Sequence, residues 1–328
     1  MSTSQPQFYT RKKIWTKAFV IALIIVIALA VTSLFTGVYD LRGQENGINM
    51  FFITRVPRTA ALMLTGAAMS MAGLVMQLIT QNRFVEPTTT GTIEWSGLGL
   101  LTVYLLFPSP SLMLRMTGAI VFSFVGTMIF FLFLRRVELR SSLIVPIIGM
   151  MLRAVISSVS TFIGLLFQMT QNIQNWYVGS FAPVQIGRYE YLWLIIGITV
   201  LIFLYADRLT LAGLGEDFVT NLGENYNLIV LIGTLLISLA VGIVAAVIGN
   251  LPFLGLIVPN IVSIFRGDDL RSNLPWICLV GMGVVMACDI LSRTLIMPFE
   301  IPVSLILGTV GALVFIIILL SQRKSRRL

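Results

Sequence analysis

Long apolar runs, separated by short charged or Pro/Gly-containing breaks, recur along almost the whole chain and restrict its fold more than any other feature. In a bilayer the backbone has no water to bond, so a crossing segment must satisfy its own N–H and C=O groups, as an α-helix does. A hydrocarbon core about 30 Å thick takes roughly 20 apolar residues per helix. On that scale the runs fall at about 15–36, 58–79, 90–107, 112–134, 143–167, 191–205, 227–248, 252–265, 275–296 and 303–320. The chain is therefore expected to be all-α and polytopic, with about ten transmembrane helices in a single domain over residues 1–328. Charged residues make up 11% of it, against about 25% in soluble proteins, and the loops leave no room for a large soluble domain.

Orientation follows from the basic residues. The first run comes after Arg11, Lys12, Lys13 and Lys17 and lacks a small-residue cleavage site before Leu34, so it reads as a retained helix with a cytoplasmic tail over 1–14. If the spans alternate, the inner side also receives Arg83, Arg135, Arg136, Arg140, Arg208, Arg266, Arg271, Arg323, Lys324, Arg326 and Arg327. The outer side receives the shorter set Arg42, Arg55, Arg58, Arg115, Arg188 and Arg293, as the positive-inside rule requires. An even span count puts the tail over 321–328 inside as well. The net charge of +8 thus speaks of orientation and of contact with lipid, not of nucleic acid.

Composition also excludes chemistries. There is no His, hence no ready general base or preferred metal ligand. Cys278 and Cys288 lie within one apolar run and read as packed free thiols. No G-x-x-x-x-G-K-[ST] loop is present, so the chain does not bind and split ATP in the P-loop manner. No catalytic cluster, metal site or cofactor site is expected, and any driving energy must come from elsewhere.

Several stretches are not simply greasy. Gly66, Ala67, Ala68, Ser70, Ala72 and Gly73 cluster in one run, Gly233, Ser238, Gly242, Ala245 and Ala246 in another, and Gly308, Gly311 and Ala312 in the last. Small residues let helices approach closely in lipid, and tight packing is the reading favoured here over ligand contact. In the run 143–167, Arg153, Ser157, Ser160, Gly164 and Gln168 recur at three- and four-residue steps and share a face. Arg153 would lie roughly 15 Å deep, too costly to face lipid, and Glu94, about 6 Å shallower, is its candidate partner. Such a face serves either an internal ion pair or the lining of a translocation path. Arg55 and Arg58 flank Pro57 on one side of a helix start, suited to lipid phosphates or to acidic groups of a partner, whereas Asp289 and Arg293 can pair with each other at i,i+4. On the inner side, residues 207–226 carry Gly213, Gly215 and Gly223 between two short potential helices, with Glu216 and Glu224 after the glycines; the stretch is either a solvated link or a socket for a cytosolic protein.

Five stretches together resemble the FecCD-type permeases, the membrane subunits of ABC importers for iron siderophores, haem and cobalamin. They are RVPRTAALMLTGAAMSMAGLVMQ from Arg55, NRFVEPTTTGT from Asn82, GNLPFLGLIVPNIV from Gly249, LPWICLVGMGVVMACDILSR from Leu274 and EIPVSLILGTVGALVFIIIL from Glu300. The resemblance implies a cobalamin-importer-like (type II ABC importer) bundle in the cytoplasmic membrane of a bacterium. Implied partners are a second permease subunit, two ATP-binding subunits and an extracytoplasmic siderophore-binding protein. It further implies that Arg55, Arg58 and Arg293 dock the binding protein, and that Gly213, Gly215, Glu216, Asp217, Leu222, Gly223 and Glu224 couple to the ATPase. Where many relatives read PHIVR, this chain has Asn260 in place of His, and that residue's role does not carry over. NRFVEPTTTGT and PNIVSIFRGDD look like the catecholate-siderophore branch, which pairs two different permeases. The competing reading is an ion- or proton-coupled transporter, for which only Glu94, Arg153 and Asp289 offer intramembrane charges.

Overall fold

The computed structural model describes residues 14–37, 47–137, 144–267 and 269–325. Residues 1–13 of the expected amino-terminal tail, positions 326–328 of the other, and Arg42 and Arg140 lie outside the described residues. In chain order the helices are α1 (Lys17–Phe35), α2 (Gly47–Met50), α3 (Val56–Ile79), α4 (Thr92–Leu106), α5 (Leu112–Arg136), α6 (Ile144–Leu166), α7 (Thr170–Tyr177), α8 (Leu194–Leu204), α9 (Ala206–Ala212), α10 (Glu216–Asn221), α11 (Tyr226–Val247), α12 (Leu254–Arg266), α13 (Leu270–Thr294) and α14 (Val303–Ser325). A π-helical turn, Phe51–Arg55, joins α2 to α3, and a 3-10 turn, Tyr189–Trp193, leads into α8. No β-strand occurs among the described residues. Six helical runs are long and apolar enough to cross a membrane, Tyr189–Ala212 makes a seventh with a 63° bend, and α4, α12 and α14 are shorter apolar helices. These are the segments that the apolar runs of the sequence mark out, and the fold is all-α and polytopic.

α3 forms the axis of the bundle, with 83% of its apolar window buried against α11, α12 and α13. Its small residues make this possible. A Cβ on Gly66 would sit 2.6 Å from the Gly281 carbonyl oxygen, and one on Gly73 only 2.2 Å from the Gly255 Cα, so both contacts require backbone to meet backbone. By contrast α1 and α6 are only 17% and 22% buried in their windows and turn Ile21, Ile24, Met151, Val155 and Phe162 outward. Cys278 and Cys288 are free thiols, as expected.

Two helices begin inside the bundle and not at a face of it. Gly255, near the start of α12, packs on Gly73, which lies about 9 Å along α3 from Ile79. Gly91, the N-cap of α4, lies against the Arg153 backbone, about 14 Å along α6 from Ile144. The segment 80–91 therefore runs back into the protein before α4 starts, which lipid permits only where protein covers the backbone. Local bonds satisfy it: Thr89 and Thr90 N–H donate to the Glu86 carbonyl, Thr92 N–H to that of Pro87, and the Thr92 and Thr127 hydroxyls bond at 2.9 Å. With Gly91 beside the Arg153 backbone, Glu94 lies about 4.5 Å further along α4, so the depths counted from span ends for these two residues do not hold. Counting rise from span ends assumed that every helix starts at a membrane face.

Candidate functional site

The bundle has two unlike ends. One carries Arg83, Arg135, Arg208 and Arg271 near α9 and α10, and the other, poorer in charge, carries Arg55, Arg58, Arg293 and the turn between α4 and α5.

At the charge-poor end the arginines expected to face outward are held inside the chain. Arg58 on α3 pairs through Nη2 with Asp289 Oδ1 at 2.7 Å and through Nη1 with Glu300 Oε2 at 2.8 Å. Arg293, one helical turn after Asp289 on α13, places Nη2 2.7 Å from Asp289 Oδ2. Asp289 is 0% exposed and stands between two guanidiniums. Arg293 also donates to the end of α1, Nη1 to the Ser33 and Thr36 carbonyls at 3.1 and 2.8 Å and Nη2 to Ser33 Oγ at 2.8 Å. Arg55 Nη1 donates to the Leu34 carbonyl at 3.2 Å. A helix ends with carbonyls that lack intrahelical partners and with negative dipole charge, and two arginines supply both donors and charge to the end of α1. Counting charges by loop cannot reveal such internal partners. The pairing of Asp289 with Arg293 was legible at i,i+4, while the sharing of Asp289 with Arg58, and of Arg58 with Glu300, was not.

In mid-bundle, Arg153 Nε lies 2.6 Å from Glu94 Oε1, the carboxylate 4% and the guanidinium 47% exposed. The other members of that polar face part company. Ser160 and Gly164 are buried, Ser160 beside the Tyr177 hydroxyl and Gly164 against Ile173 of α7, whereas Ser157 is half-buried and Gln168 exposed past the end of α6. The face thus turns toward α4 and α7 of the same chain. Arg153, Ser157 and Gln168 lie at its edge, and Ser160 and Gly164 are covered by the same chain.

At the charge-rich end, 207–226 forms the two short helices α9 and α10. Gly213 follows α9, Gly215 (φ +106°) precedes α10 and Gly223 (φ +78°) follows it, the last two in backbone conformations that glycine alone adopts at little cost. Glu216 accepts from Arg135 at 2.8 Å, Arg208 lies 3.6 Å from Glu224, and Arg271 pairs with Asp207 at 2.7 Å. Asp217, Phe218 and Leu222 face outward. A cavity of about 140 Å³ between Arg135, Glu216, Gln81 and Tyr226 joins this end to the base of α3.

Sequence reading missed one cluster. Buried Glu86 accepts from the Phe253 N–H at 2.9 Å and from the Thr88 hydroxyl, so a carboxylate of segment 80–91 caps α12. Pro259 has no N–H for the Gly255 carbonyl, and Gln77 Nε2 donates to that oxygen at 3.1 Å instead. Asn260 Nδ2 donates to the Arg83 carbonyl at 2.8 Å, which gives the residue standing in for His a structural part. The Pro inside an apolar run was the available signal, since it leaves a carbonyl that some donor must fill.

The sequence profile of the FecCD transport family matches residues 15–321. The petrobactin import system permease protein FatD of Bacillus anthracis is 79% identical over 99% of this chain and 97% of its own length. The petrobactin import system permease protein YclN of Bacillus subtilis is 43% identical over 92% of this chain and 97% of its own. Among solved structures, a metal-chelate type ABC transporter in an inward-facing conformation superposes with a TM-score of 0.80 at 25% identity, covering 94% of this chain and all of that one.

Proposed function

This chain belongs to the FecCD transport family, and from that premise we propose that it is the permease subunit of an ABC importer that carries a ferric siderophore across the cytoplasmic membrane of a bacterium. The observation that carries the reading is 79% identity along essentially the whole chain with a petrobactin import permease. In this reading residues 1–328 form one transmembrane domain with both termini in the cytoplasm, joined by a second and different permease chain, two ATP-binding subunits and an extracytoplasmic siderophore-binding protein. The chain splits no ATP itself. The exposed face of α10, with Asp217, Phe218 and Leu222, and the glycine-bounded turns on either side of it receive the ATPase. Arg55, Arg58 and Arg293 support the docking surface for the binding protein by fixing the end of α1 and the segment holding Glu300, rather than by offering uncommitted charges.

Uptake of radiolabelled ferric chelates by cells with and without this chain, across petrobactin-like, hydroxamate, haem and cobalamin cargoes, tests the proposal. Uptake of a catecholate-type ferric siderophore that depends on this chain and on ATP is expected. Uptake that survives ATP depletion and collapses with the proton gradient would replace the proposal with a secondary transporter, in which Glu94 and Arg153 would be the coupling charges.

A further inference from the structure

At the charge-poor end, apart from the Asp289 cluster, a cavity of about 490 Å³ opens between the start of α5, the end of α7 and the end of α11. That lies within the roughly 300–1,000 Å³ of small-molecule sites. Its lining combines two arginines, Arg115 and Arg188, with Trp176, Asn175 and an apolar wall from Ala245 to Ile248. Among the described residues neither arginine has a carboxylate partner. Glu190, two positions after Arg188, accepts instead from the Gly187 N–H at 2.7 Å.

Arg115 is held in place without being neutralised. Its Nη1 donates to the Tyr104 hydroxyl at 2.8 Å and its guanidinium lies 5.7 Å from the centre of that ring. Tyr104 stacks on Trp176 at 5.1 Å with 21° between the planes, so cation and indole are parts of one rigid stack. Arg115 sits in the first turn of α5, where the helix dipole is already positive, and a cation there raises the potential instead of balancing it. On the opposite wall the end of α11 brings the negative end of its dipole, with the Ile248 carbonyl taken by Ser180 N–H at 3.1 Å, so the wall offsets the guanidiniums only in part and offers no carboxylate. Arg188 Nη1 meets the Pro183 carbonyl at 3.5 Å, and a recess with two guanidiniums that no carboxylate pairs, beside an aromatic wall, suits a group that is both anionic and aromatic. A protein carboxylate would use the charge and leave the aromatic wall and most of the volume idle.

We propose that this recess is a cargo subsite, taking an anionic aryl arm of a metal chelate between Arg115 and Arg188 and against Trp176. The proposal rests on the import reading above. Its test uses the permeases with their ATPase subunits in nanodiscs, without nucleotide; the binding protein, which has a chelate site of its own, is left out of the chelate titrations and added only to measure docking. The probes are an iron–catechol complex, iron citrate as an anion lacking the ring, and an acidic peptide as a protein-like competitor. Arg188→Gln, at an exposed loop position, and Arg115→Gln should each weaken binding of the aryl chelate about tenfold, as expected for loss of one charge-assisted contact. Trp176→Leu should weaken the aryl chelate and not citrate. Binding-protein docking should change less than about twofold, a difference well under 1 kcal/mol. Unaltered chelate binding in all three variants would overturn the subsite. Lost docking with intact chelate binding, or displacement by the acidic peptide alone, would overturn it in favour of a protein contact. Wild-type complex that binds the aryl chelate but imports none would remove the import reading and leave the subsite standing.

Discussion

The Glu86 carboxylate caps helix α12 across 167 positions of sequence, accepting the Phe253 N–H at 2.9 Å in the interior of the bundle. The first N–H groups of any helix lack intrahelical partners, and here no water is at hand to replace one. Glu86→Ala is therefore expected to lower the stability of the folded chain by about 1–3 kcal/mol, the penalty for a buried donor left unpaired. Glu86→Gln keeps an acceptor oxygen and should lie much closer to wild type. Thermal unfolding in detergent distinguishes them, and equal midpoints for wild type and the Ala variant would refute the cap.

Asp289, wholly buried between Arg58 and Arg293, should be among the least replaceable residues. Asp289→Ala leaves two guanidiniums without their carboxylate and is expected to cost about 3–5 kcal/mol, visible as lost folded protein in the membrane. Arg58→Ala combined with Asp289→Ala should cost less than the two single changes added together. Strict additivity in that double-mutant cycle would show that the two residues do not interact.

Exchanging the charges at Glu94 and Arg153 tests whether their 2.6 Å contact governs the middle of the bundle. Glu94→Arg and Arg153→Glu should each impair uptake, and the double exchange should restore a large part of it. Two defects that simply multiply would mean that each residue acts alone.

The charge-rich end makes a different prediction. Phe218→Ala with Leu222→Ala removes apolar contacts from an exposed face, without touching the bundle core. About tenfold weaker ATPase association is expected, in line with the loss of interface contacts of this size, with insertion into the membrane unchanged. Full ATPase stimulation in the reconstituted complex would show that the face has no such contact. Glu216→Lys, facing Arg135 at 2.8 Å, should uncouple hydrolysis from uptake while leaving substrate binding by the extracytoplasmic protein intact; tight coupling in this variant would exclude that role.

Much of this could be read before any coordinates. Ten apolar runs, the small residues of α3, the glycine-bounded inner loop and the i,i+4 relation of Asp289 to Arg293 are all local patterns, and bilayer thickness and helical periodicity turn local patterns into spans and faces. Arg153 also announced itself, since a guanidinium that deep requires a partner. What the patterns misjudged was depth. Segment 80–91 looks like an ordinary connection, yet it enters the bundle, so α4 starts beside Arg153 and brings Glu94 within reach of its side chain.

The sequence by itself determined that this chain lives in a membrane and in about how many passes, and that it carries no P-loop motif, because those properties follow from the lengths and types of residues adjacent along the chain. Only the tertiary structure decided which charges are spent internally and which remain for others. Arg58 and Arg293 look outward in a count by loops but are consumed by Asp289, Glu300 and the end of α1, whereas Arg115 and Arg188, unremarkable in sequence, are left facing a cavity. The reason is physical: in a low-dielectric interior the state of a charge is set by whatever lies within a few ångströms, and distance along the chain carries no information about that.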